Sequence, residues 1–379
     1  MLTEAFRARF GRAAQGLYRA PGRINLIGEH TDYNGGWVMP AAIDMDVTVG
    51  AAPRAERVIR LYSEHFDAQA EWALESNGKV ASVPAWSRSL RGVSLLLDRQ
   101  RPLPGADLLL RSQLPVGAGL SSSAAAEVAV GVALVALAGV EIAPLDLALL
   151  CQRASHEFAD SRCGIMDQYI ACLGRRDAFA ELDTQTLTAK WHDWPAAAAF
   201  VVCDTGVRHD NAGGEYNQRR AECEAAASML RLASLRELSE EGLARAGARL
   251  PPVLYRRCRH VVRENARVHA AAAALAAGDL TQLGRLLDAS HASLRDDFEV
   301  SCPELDCMAE LCRRLPGVQG ARMMGGGFGG CVLVLACQDP GEDVARAVLP
   351  VYAEATGRQG RVWQCHGASG AGLTEDHHG

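Results

Sequence analysis

Residues 114–127 (LPVGAGLSSSAAAE) constrain the fold of this chain more than any other stretch. They join a strand-like apolar segment, residues 106–110, to an Ala/Val-rich helix through a Gly-rich turn. Gly117 and Gly119 carry no Cβ, so the backbone there can bend sharply and approach a ligand closely. The helix that follows begins with three serines, Ser121, Ser122 and Ser123. Its free N–H groups and the positive end of its dipole favour phosphate, although a capped helix after a tight turn has the same pattern.

The length of the chain indicates two domains, because 379 residues exceed what one hydrophobic core usually supports. A hydrophobic content of 49% and a charged content of 22% are typical of a globular protein in solution. The net charge of −6 gives no reason to expect nucleic acid or a membrane surface as a partner.

The twelve cysteines are scattered, and no C-x-x-C pair occurs. Cys302, Cys307 and Cys312 are five residues apart, so on a helix each would be rotated by about 140° from the last. This spacing disfavours a metal site and favours reduced thiols in a cytoplasmic protein.

The N-terminal residues 1–20 are rich in arginine, as in a transit peptide, but Glu4 interrupts the pattern. An amphipathic surface helix fits this segment better. The longest apolar run, residues 128–140, is shorter than the ~20 residues that a bilayer-spanning helix needs. We therefore expect a buried helix there and no membrane partner.

Residues 20–40 (APGRINLIGEHTDYNGGWVMP) place a dense polar cluster directly after a short apolar stretch. The cluster comprises Glu29, His30, Thr31, Asp32, Tyr33 and Asn34. Carboxylate, imidazole, hydroxyl and amide groups together suit a polyhydroxylated ligand, since each alcohol needs a donor and an acceptor. Arg23 could add a fixed positive charge. The Asn34-Gly35 pair is also a strong signal for a polar hairpin turn, and spacing alone leaves both interpretations open.

Two further residues have both a functional and a structural interpretation. Asp167, in the segment CGIMDQ, follows the Gly164 turn among apolar neighbours. Such a carboxylate is either a paired structural charge or a general base. Trp86, at the start of a helical pattern, could stack on a flat ring or pack in the core.

The run GGGFGG at residues 325–330 formally matches G-x-G-x-x-G. A dinucleotide fingerprint follows a strand and opens a helix, whereas this run precedes a strand-like segment, residues 331–337. A backbone that lets a ligand or another loop come close is a better interpretation. The sequence contains no G-x-x-x-x-G-K-[ST] motif, which excludes a P-loop nucleotide site.

Together these motifs resemble those of the galactokinase family, in the superfamily of galactokinase, homoserine kinase, mevalonate kinase and phosphomevalonate kinase. GRINLIGEHTDYNGGWVMP looks like the galactokinase signature. LPVGAGLSSSAA is similar to the phosphate loop of the superfamily, and GARMMGGGFGGCV to its third motif. CGIMDQ and SLRDDFEVSCPELD also match, so the resemblance extends over residues 18–335.

The resemblance implies an α+β fold of two domains with the active site in the cleft between them. The first, residues 1–192, would resemble ribosomal protein S5 domain 2 and carry the signature and the phosphate loop. The second, residues 193–379, would be ferredoxin-like and carry the Gly-rich third motif. The implied reaction is ATP-dependent phosphorylation of the anomeric hydroxyl of α-D-galactose to galactose 1-phosphate, in a cytoplasmic monomer.

The resemblance also implies a role for each matched residue. Asp167 would be the catalytic base, with Arg23 as the cation beside it, and Trp86 would flank the adenine. Ser123 would ligate Mg²⁺. The sugar would be bound by Glu29, His30, Asp32, Gly164 and Tyr216, the last in a polar loop (residues 204–216) before a charged helix. The phosphates of ATP would be held by Gly117, Ala118, Gly119, Leu120, Ser121, Ser122 and Ser123.

One position departs from the family pattern. Galactokinases usually carry Glu twelve residues before the catalytic Asp, as the acidic Mg²⁺ ligand, and Ser155 stands there in this chain. The nearest acid, Glu157, would point about 200° away from Ser155 on a helix. The departure predicts fewer direct protein ligands for the metal, with weaker Mg²⁺ binding, or a different local backbone.

Two other functions stay compatible with the motifs. The chain could phosphorylate a related sugar such as N-acetylgalactosamine. It could also be a catalytically silent sensor of galactose and ATP, an interpretation that Ser155 favours and that the intact Asp167 and Arg23 oppose.

Overall fold

The structure is a computed structural model that describes residues 1–74, 82–208, 212–337 and 340–375. Its strands are, in chain order, β1 (Gly16–Asn25), β2 (Trp37–Val38), β3 (Pro40–Arg54), β4 (Val58–Ser63), β5 (Ala68–Ala73), β6 (Gly105–Ser112), β7 (Ala178–Asp183), β8 (Thr188–Asp193), β9 (Ala199–Asp204), β10 (Val318–Met324), β11 (Cys331–Ala336), β12 (Arg361–Cys365) and β13 (Gly372–Thr374).

Its helices are α1 (Leu2–Phe10), α2 (Arg88–Gln100), α3 (Ser122–Ala138), α4 (Pro144–Phe158), α5 (Met166–Leu173), α6 (Ala212–Leu230), α7 (Glu240–Ala246), α8 (Pro252–Ala277), α9 (Leu280–Ser293), α10 (Pro303–Arg313), α11 (Gly341–Asp343) and α12 (Leu349–Thr356). Short 3₁₀ turns lie at Asp32–Asn34, Ala85–Ser87 and Leu235–Glu237, and π-helical turns at Leu294–Phe298 and Val344–Val348.

The largest sheet has six strands in the order β13-β1-β3-β6-β4-β5. The long strands β1 and β3 are antiparallel neighbours, and α3 packs against both of them. Their register shifts between Pro21 and Arg23, which is a bulge. A bulge bends the strand and re-aims the side chain beside it, here that of Arg23.

A second sheet has four antiparallel strands in the order β10-β11-β9-β12. Helices α9 and α10 pack on it. Its β11 strand is buried on both faces: Leu333 and Leu335 belong to one hydrophobic core, and Val332 and Val334 to another. This explains the nearly continuous apolar run in the sequence, since successive side chains point to opposite faces. A third, three-stranded sheet has the order β2-β7-β8.

The structure confirms several expectations about single elements. The N-terminal segment forms α1, and the apolar run at residues 128–140 lies mainly in the buried helix α3. Residues 331–336 form a strand directly after the GGGFGG run. None of the described helices is both long and apolar enough to cross a membrane. All twelve cysteines, each within the described ranges, are free.

Two features differ from the expected arrangement. Helix α6 already begins at Ala212, so Tyr216 lies on a helix and not in a loop as its polar neighbours suggested. The last described strand, β13, pairs with β1 in the sheet of the N-terminal half. The division at residue 192 stays a prediction, and residues 372–374 return to the first sheet.

Candidate active site

A cavity of about 390 Å³ lies where the phosphate loop, the polar cluster after β1 and the GGGFGG run converge. Most of the residues predicted from the sequence line its wall: Arg23, Glu29, His30, Asp32, Gly117, Gly119, Ser121, Ser122, Ser123, Ser155, Gly164, Asp167 and Tyr216. Segments far apart in sequence therefore meet around one space. Convergent polar groups in a concave site are the usual sign of ligand binding.

Asp167 and Arg23 form a two-pronged ion pair at this wall. Arg23 Nε lies 2.8 Å from Asp167 Oδ1, and Nη2 lies 3.2 Å from Oδ2. The third nitrogen of the guanidinium, Nη1, donates to the carbonyl of Gly119 in the phosphate loop. The Arg23 side chain is 5% exposed and that of Asp167 is 29% exposed. The pair therefore fixes the carboxylate from behind and leaves it accessible from the cavity.

The polar cluster after β1 holds two groups with shifted pKa values. Burial and the nearby charge of Asp167 raise the pKa of Asp32 to about 6. Burial and the proximity of His260 lower the pKa of His30 to about 3, so its imidazole is neutral at pH 7. His30 Nδ1 lies 2.8 Å from the hydroxyl of Tyr33. The cavity thus offers an acid and a neutral imidazole, both suited to hydrogen bonds with alcohols.

Glu29 is bound on both oxygens by the protein itself. Its Oε2 accepts from Asn25 Nδ2 at 2.6 Å and is paired with Arg322, and its Oε1 accepts from the backbone N–H of Gly325 at 3.0 Å. Arg322 and Gly325 belong to the third motif, so Glu29 ties that motif to the strand end after β1. Contact with a sugar hydroxyl stays a prediction for this residue.

Tyr216 and Gly164 complete the wall near Asp32. The Tyr216 ring lies 5.4 Å from the rings of His30 and Tyr33, and its hydroxyl is hydrogen-bonded to the backbone of Gly164. A Cβ on Gly164 would lie 1.8 Å from Asp32 Oδ2. Only glycine allows the carboxylate to approach the backbone this closely.

The phosphate loop has the geometry that its sequence predicts. Gly117 and Gly119 have φ angles of 72° and 79°, and Ser121 precedes the first turn of α3 in the left-handed conformation. Ser121 Oγ is buried and has no hydrogen-bond partner within the described part of the chain. The loop thus presents an unsatisfied hydroxyl at a helix N-terminus, the arrangement that binds anions. Two of its predicted residues, Ala118 and Leu120, are buried in the core beneath and do not line the cavity.

Trp86 lies outside the wall of the cavity, unlike most of the other predicted residues. It occupies the 3₁₀ turn Ala85–Ser87, packs against the first core, and does not line the cavity. Its ring stacks on that of Phe66, with the centroids 5.4 Å apart and the planes at 17°. A contact with adenine stays a prediction for this side chain.

Ser155 is hydrogen-bonded to Glu127, a buried residue that was not predicted from the sequence. Its hydroxyl donates to Glu127 Oε1 at 2.6 Å, and Gln168 Nε2 donates to Oε2 at 3.1 Å. Burial raises the pKa of Glu127 to about 7 against the effect of these hydrogen bonds. Glu157, by contrast, pairs with Arg153 at 2.6 Å on the exposed side of α4, as helical spacing predicts. The signal for Glu127 is present in the sequence as one acid in an otherwise apolar helix, a single turn after Ser123.

Three family models match this chain. Residues 4–53 match the galactokinase galactose-binding signature. Residues 88–175 match the GHMP kinases N terminal domain, and residues 271–353 match the GHMP kinases C terminal domain.

Full-length relatives agree with these matches. A galactokinase of Chloroflexus aurantiacus is 45% identical, with 98% of this chain and 96% of that protein aligned. A galactokinase of Roseiflexus sp. is 42% identical over 99% of this chain and 97% of its own length. The chain belongs to the galactokinase family. Its fold is accordingly the two-domain GHMP kinase fold, and its enzyme class is that of a sugar kinase.

Solved structures show the same fold. The crystal structure of Lactococcus lactis galactokinase complexed with galactose superposes with a TM-score of 0.93 at 36% identity, covering 98% of this chain and 99% of that one. A mevalonate kinase structure superposes with a TM-score of 0.64 at 18% identity, which reflects the shared fold alone.

Proposed function

We propose that this protein transfers the γ-phosphate of ATP to the anomeric hydroxyl of α-D-galactose, which yields galactose 1-phosphate and ADP. The observation that carries the proposal is the Arg23–Asp167 pair, which lies between the phosphate loop and the polar cluster after β1. A base between a phosphate site and a sugar site is the arrangement that phosphoryl transfer to a sugar needs. The galactose-binding signature over residues 4–53 supports galactose as the acceptor.

The chemistry follows from the accessible carboxylate of Asp167. It accepts the proton of the sugar hydroxyl as that oxygen forms its bond to phosphorus, and the bond from phosphorus to the ADP oxygen breaks. Arg23 holds the carboxylate in place through two hydrogen bonds. His30, Asp32, Tyr216 and the backbone at Gly164 are the groups available to the other sugar hydroxyls.

The residues present also fit a Mg²⁺–nucleotide. Among the described residues that line the cavity, Arg23 is the only arginine or lysine, and Asp167 already neutralises it. Arg208, beside Gly117, is likewise paired with Asp204 at 2.7 Å. The protein therefore leaves much of the charge of a triphosphate uncompensated, and Mg²⁺ supplies that compensation when it is bound. Ser123, with its hydroxyl on the first turn of α3, would be its protein ligand.

The variant Asp167→Asn tests the proposed function. We expect it to lose turnover by a factor of about 10²–10⁴, the usual contribution of a general base, while galactose still binds. ADP release with a panel of sugars and galactose binding by calorimetry are the two measurements. Asp146→Asn, an exposed acid on α4, serves as the matched control and should behave as the wild type.

Three results would contradict the proposal. Undiminished turnover in Asp167→Asn would show that Asp167 is not the catalytic base. A higher kcat/KM with N-acetylgalactosamine than with galactose would assign another substrate. Galactose binding by the wild type without ADP release from any sugar would indicate a silent sensor.

A further inference from the structure

Glu127 lies at the junction of four helices directly behind the cavity. It belongs to α3 and accepts hydrogen bonds from Ser155 on α4 at 2.6 Å and from Gln168 on α5 at 3.1 Å, and Ser89 on α2 is a third hydrogen-bond partner. Glu127 is 1% exposed and does not line the cavity, whereas Ser155 and Gln168 do. Its carboxylate therefore acts on the cavity only through Ser155 and Gln168.

The two hydrogen bonds decide which atoms of the partners remain available. The Ser155 hydroxyl donates its only hydrogen bond to Glu127. The Ser155 oxygen can therefore only accept a further hydrogen bond or coordinate a metal ion. The Gln168 amide likewise uses its nitrogen on Glu127. Its oxygen, Oε1, is buried and has no hydrogen-bond partner within the described part of the chain, although Gln168 is only 2% exposed.

A buried acceptor without a hydrogen-bond partner costs about 1–3 kcal/mol of stability. We therefore expect Gln168 Oε1 to interact with a bound group. The space beside Gln168 that can supply it is the cavity that this residue lines, next to Asp167. Ser155 lines the same cavity, and Ser123 lines it from the first turn of α3, one turn before Glu127. Three neutral oxygens with a buried carboxylate behind them favour a hard cation with bound waters.

We propose that Glu127 is a positioning residue that makes Ser155 Oγ and Gln168 Oε1 into acceptors for the hydrated Mg²⁺ of the nucleotide. This inference rests on the proposed function, since it concerns the metal of the phosphoryl donor. Ser155 then contributes an oxygen without a charge of its own, and Glu127 orients that oxygen by accepting the hydrogen bond of the Ser155 hydroxyl. Residues that are hydrogen-bonded to metal-binding groups orient those groups and change the affinity of the site for the metal.

A purely structural role for Glu127 makes a different prediction. If the carboxylate only joins these four helices, its loss weakens the fold and leaves metal affinity in the folded protein unchanged. A positioning role makes the metal affinity fall while the affinities for galactose and metal-free ADP are kept. Metal binding therefore separates the two roles, and no measurement of activity is needed for it.

The experiment titrates Mn²⁺ into the protein at saturating ADP and follows free Mn²⁺ by electron paramagnetic resonance. The variants are Glu127→Gln, which removes the charge at constant size, and Ser155→Ala, which removes one of the two acceptors. We expect each to raise the Kd for Mn²⁺ by about tenfold or more, with the Kd for ADP in EDTA changed by less than about twofold. Glu157→Gln is the matched control, because Glu157 lies two residues from Ser155 but pairs with Arg153 on the exposed side.

A Kd for Mn²⁺ within about twofold of the wild type in Glu127→Gln, or an equal loss in Glu157→Gln, would overturn the proposal. If Glu127→Gln does not fold, an unaltered Kd for Mn²⁺ in Ser155→Ala overturns the proposal. That variant should fold, since one small buried residue is exchanged for another. Wild-type turnover with galactose is measured alongside. A wild type that turns over galactose with unaltered Mn²⁺ binding in both variants refutes the role of Glu127 alone, and a wild type without turnover refutes the proposed function.

Discussion

Asp32 and Gly164 illustrate how single residues determine this site. The carboxylate of Asp32 lies against the Gly164 backbone, where any side chain would overlap it. Tyr216 is hydrogen-bonded to the same backbone. The shape of the proposed sugar site near Asp32 therefore depends on Gly164 having no side chain as well as on the carboxylate of residue 32.

Gly164→Ala should displace the whole Asp32 side chain, because an added Cβ would lie 1.8 Å from its Oδ2 and 2.8 Å from its Cβ. We expect galactose affinity to fall by about one to two orders of magnitude, the effect of losing a hydrogen bond to a charged group. Calorimetric titration with galactose measures it. Gly214→Ala, on α6, is the control, because no described residue has an atom within 4 Å of the added Cβ. Equal affinities in all three proteins would show that Asp32 does not bind the sugar.

At the scale of elements, the phosphate loop and the third motif touch through their backbones. A Cβ on Gly119 would lie 3.0 Å from the carbonyl oxygen of Met324, and one on Gly330 would lie 3.2 Å from that of Ala118. Both glycines have positive φ angles, 79° and 86°. The Gly-rich run that resembles a dinucleotide fingerprint therefore serves the approach of two loops, as its position before β11 suggested.

Gly119→Ala should disturb this contact between the loops in addition to straining its own backbone. Gly139→Ala measures the backbone strain alone. Gly139 is the C-cap of α3 with a φ of 62°, and no described residue has an atom within 4 Å of the added Cβ. We expect both variants to lose about 1–2 kcal/mol of stability. Only Gly119→Ala should lower kcat/KM for ATP, by about tenfold or more, because small misplacements of binding groups are costly. Steady-state kinetics with varied ATP decide, and equal kinetics in the two variants would contradict the role of the contact.

At the scale of the whole molecule, helix α8 joins the C-terminal half to the polar cluster after β1. His260 Nε2 lies 3.0 Å from the carbonyl oxygen of Glu29, and its Nδ1 lies 2.9 Å from the hydroxyl of Ser293. Glu264 accepts a hydrogen bond from the backbone N–H of Gly28 at 2.9 Å. Buried polar groups on α8 thus hold the backbone at Gly28 and Glu29 against the C-terminal helices.

The pH dependence of unfolding tests this connection. Burial lowers the pKa of His260 from 6.5 to about 4, with Arg267 adding to the effect and Glu264 opposing it. The unfolded chain binds the proton first, so the stabilisation by neutral His260 is present above pH 6.5 and is lost as the pH falls towards 4. The free energy of unfolding of the wild type minus that of His260→Gln should decrease by up to about 1.4 kcal/mol per pH unit in this range.

Urea unfolding at several pH values gives this difference. Asp32 and Glu127, whose raised pKa values change stability in the opposite direction, are present in both proteins and largely cancel. A difference that stays constant between pH 6.5 and 4 would show that His260 is protonated in the folded state as readily as in the unfolded chain.

Much of the site was predictable from local sequence. The turn at Gly117 and Gly119 follows from the need for positive φ angles. The serines marked the start of α3 correctly, although the side chain of its N-cap, Ser121, makes no capping hydrogen bond. Tyr216 was misplaced in a loop, because the polar composition around it also suits an exposed helix. Glu127 was missed because its importance depends on donors from two other helices, Ser155 and Gln168.

The sequence by itself determined the loop at residues 114–127 and the family, since these depend on neighbouring residues in the chain. Asp167 as the base stays a prediction from the family resemblance. Only the tertiary structure decided which carboxylates stay accessible: Glu29 is buried and bound by the protein on both oxygens, whereas the Asp167 side chain, although paired with Arg23, is 29% exposed. It also placed Glu127 behind Ser155. The physical reason is that hydrogen-bond partners and burial are set by contacts between distant segments, and these fix the charge and the accessibility of each group.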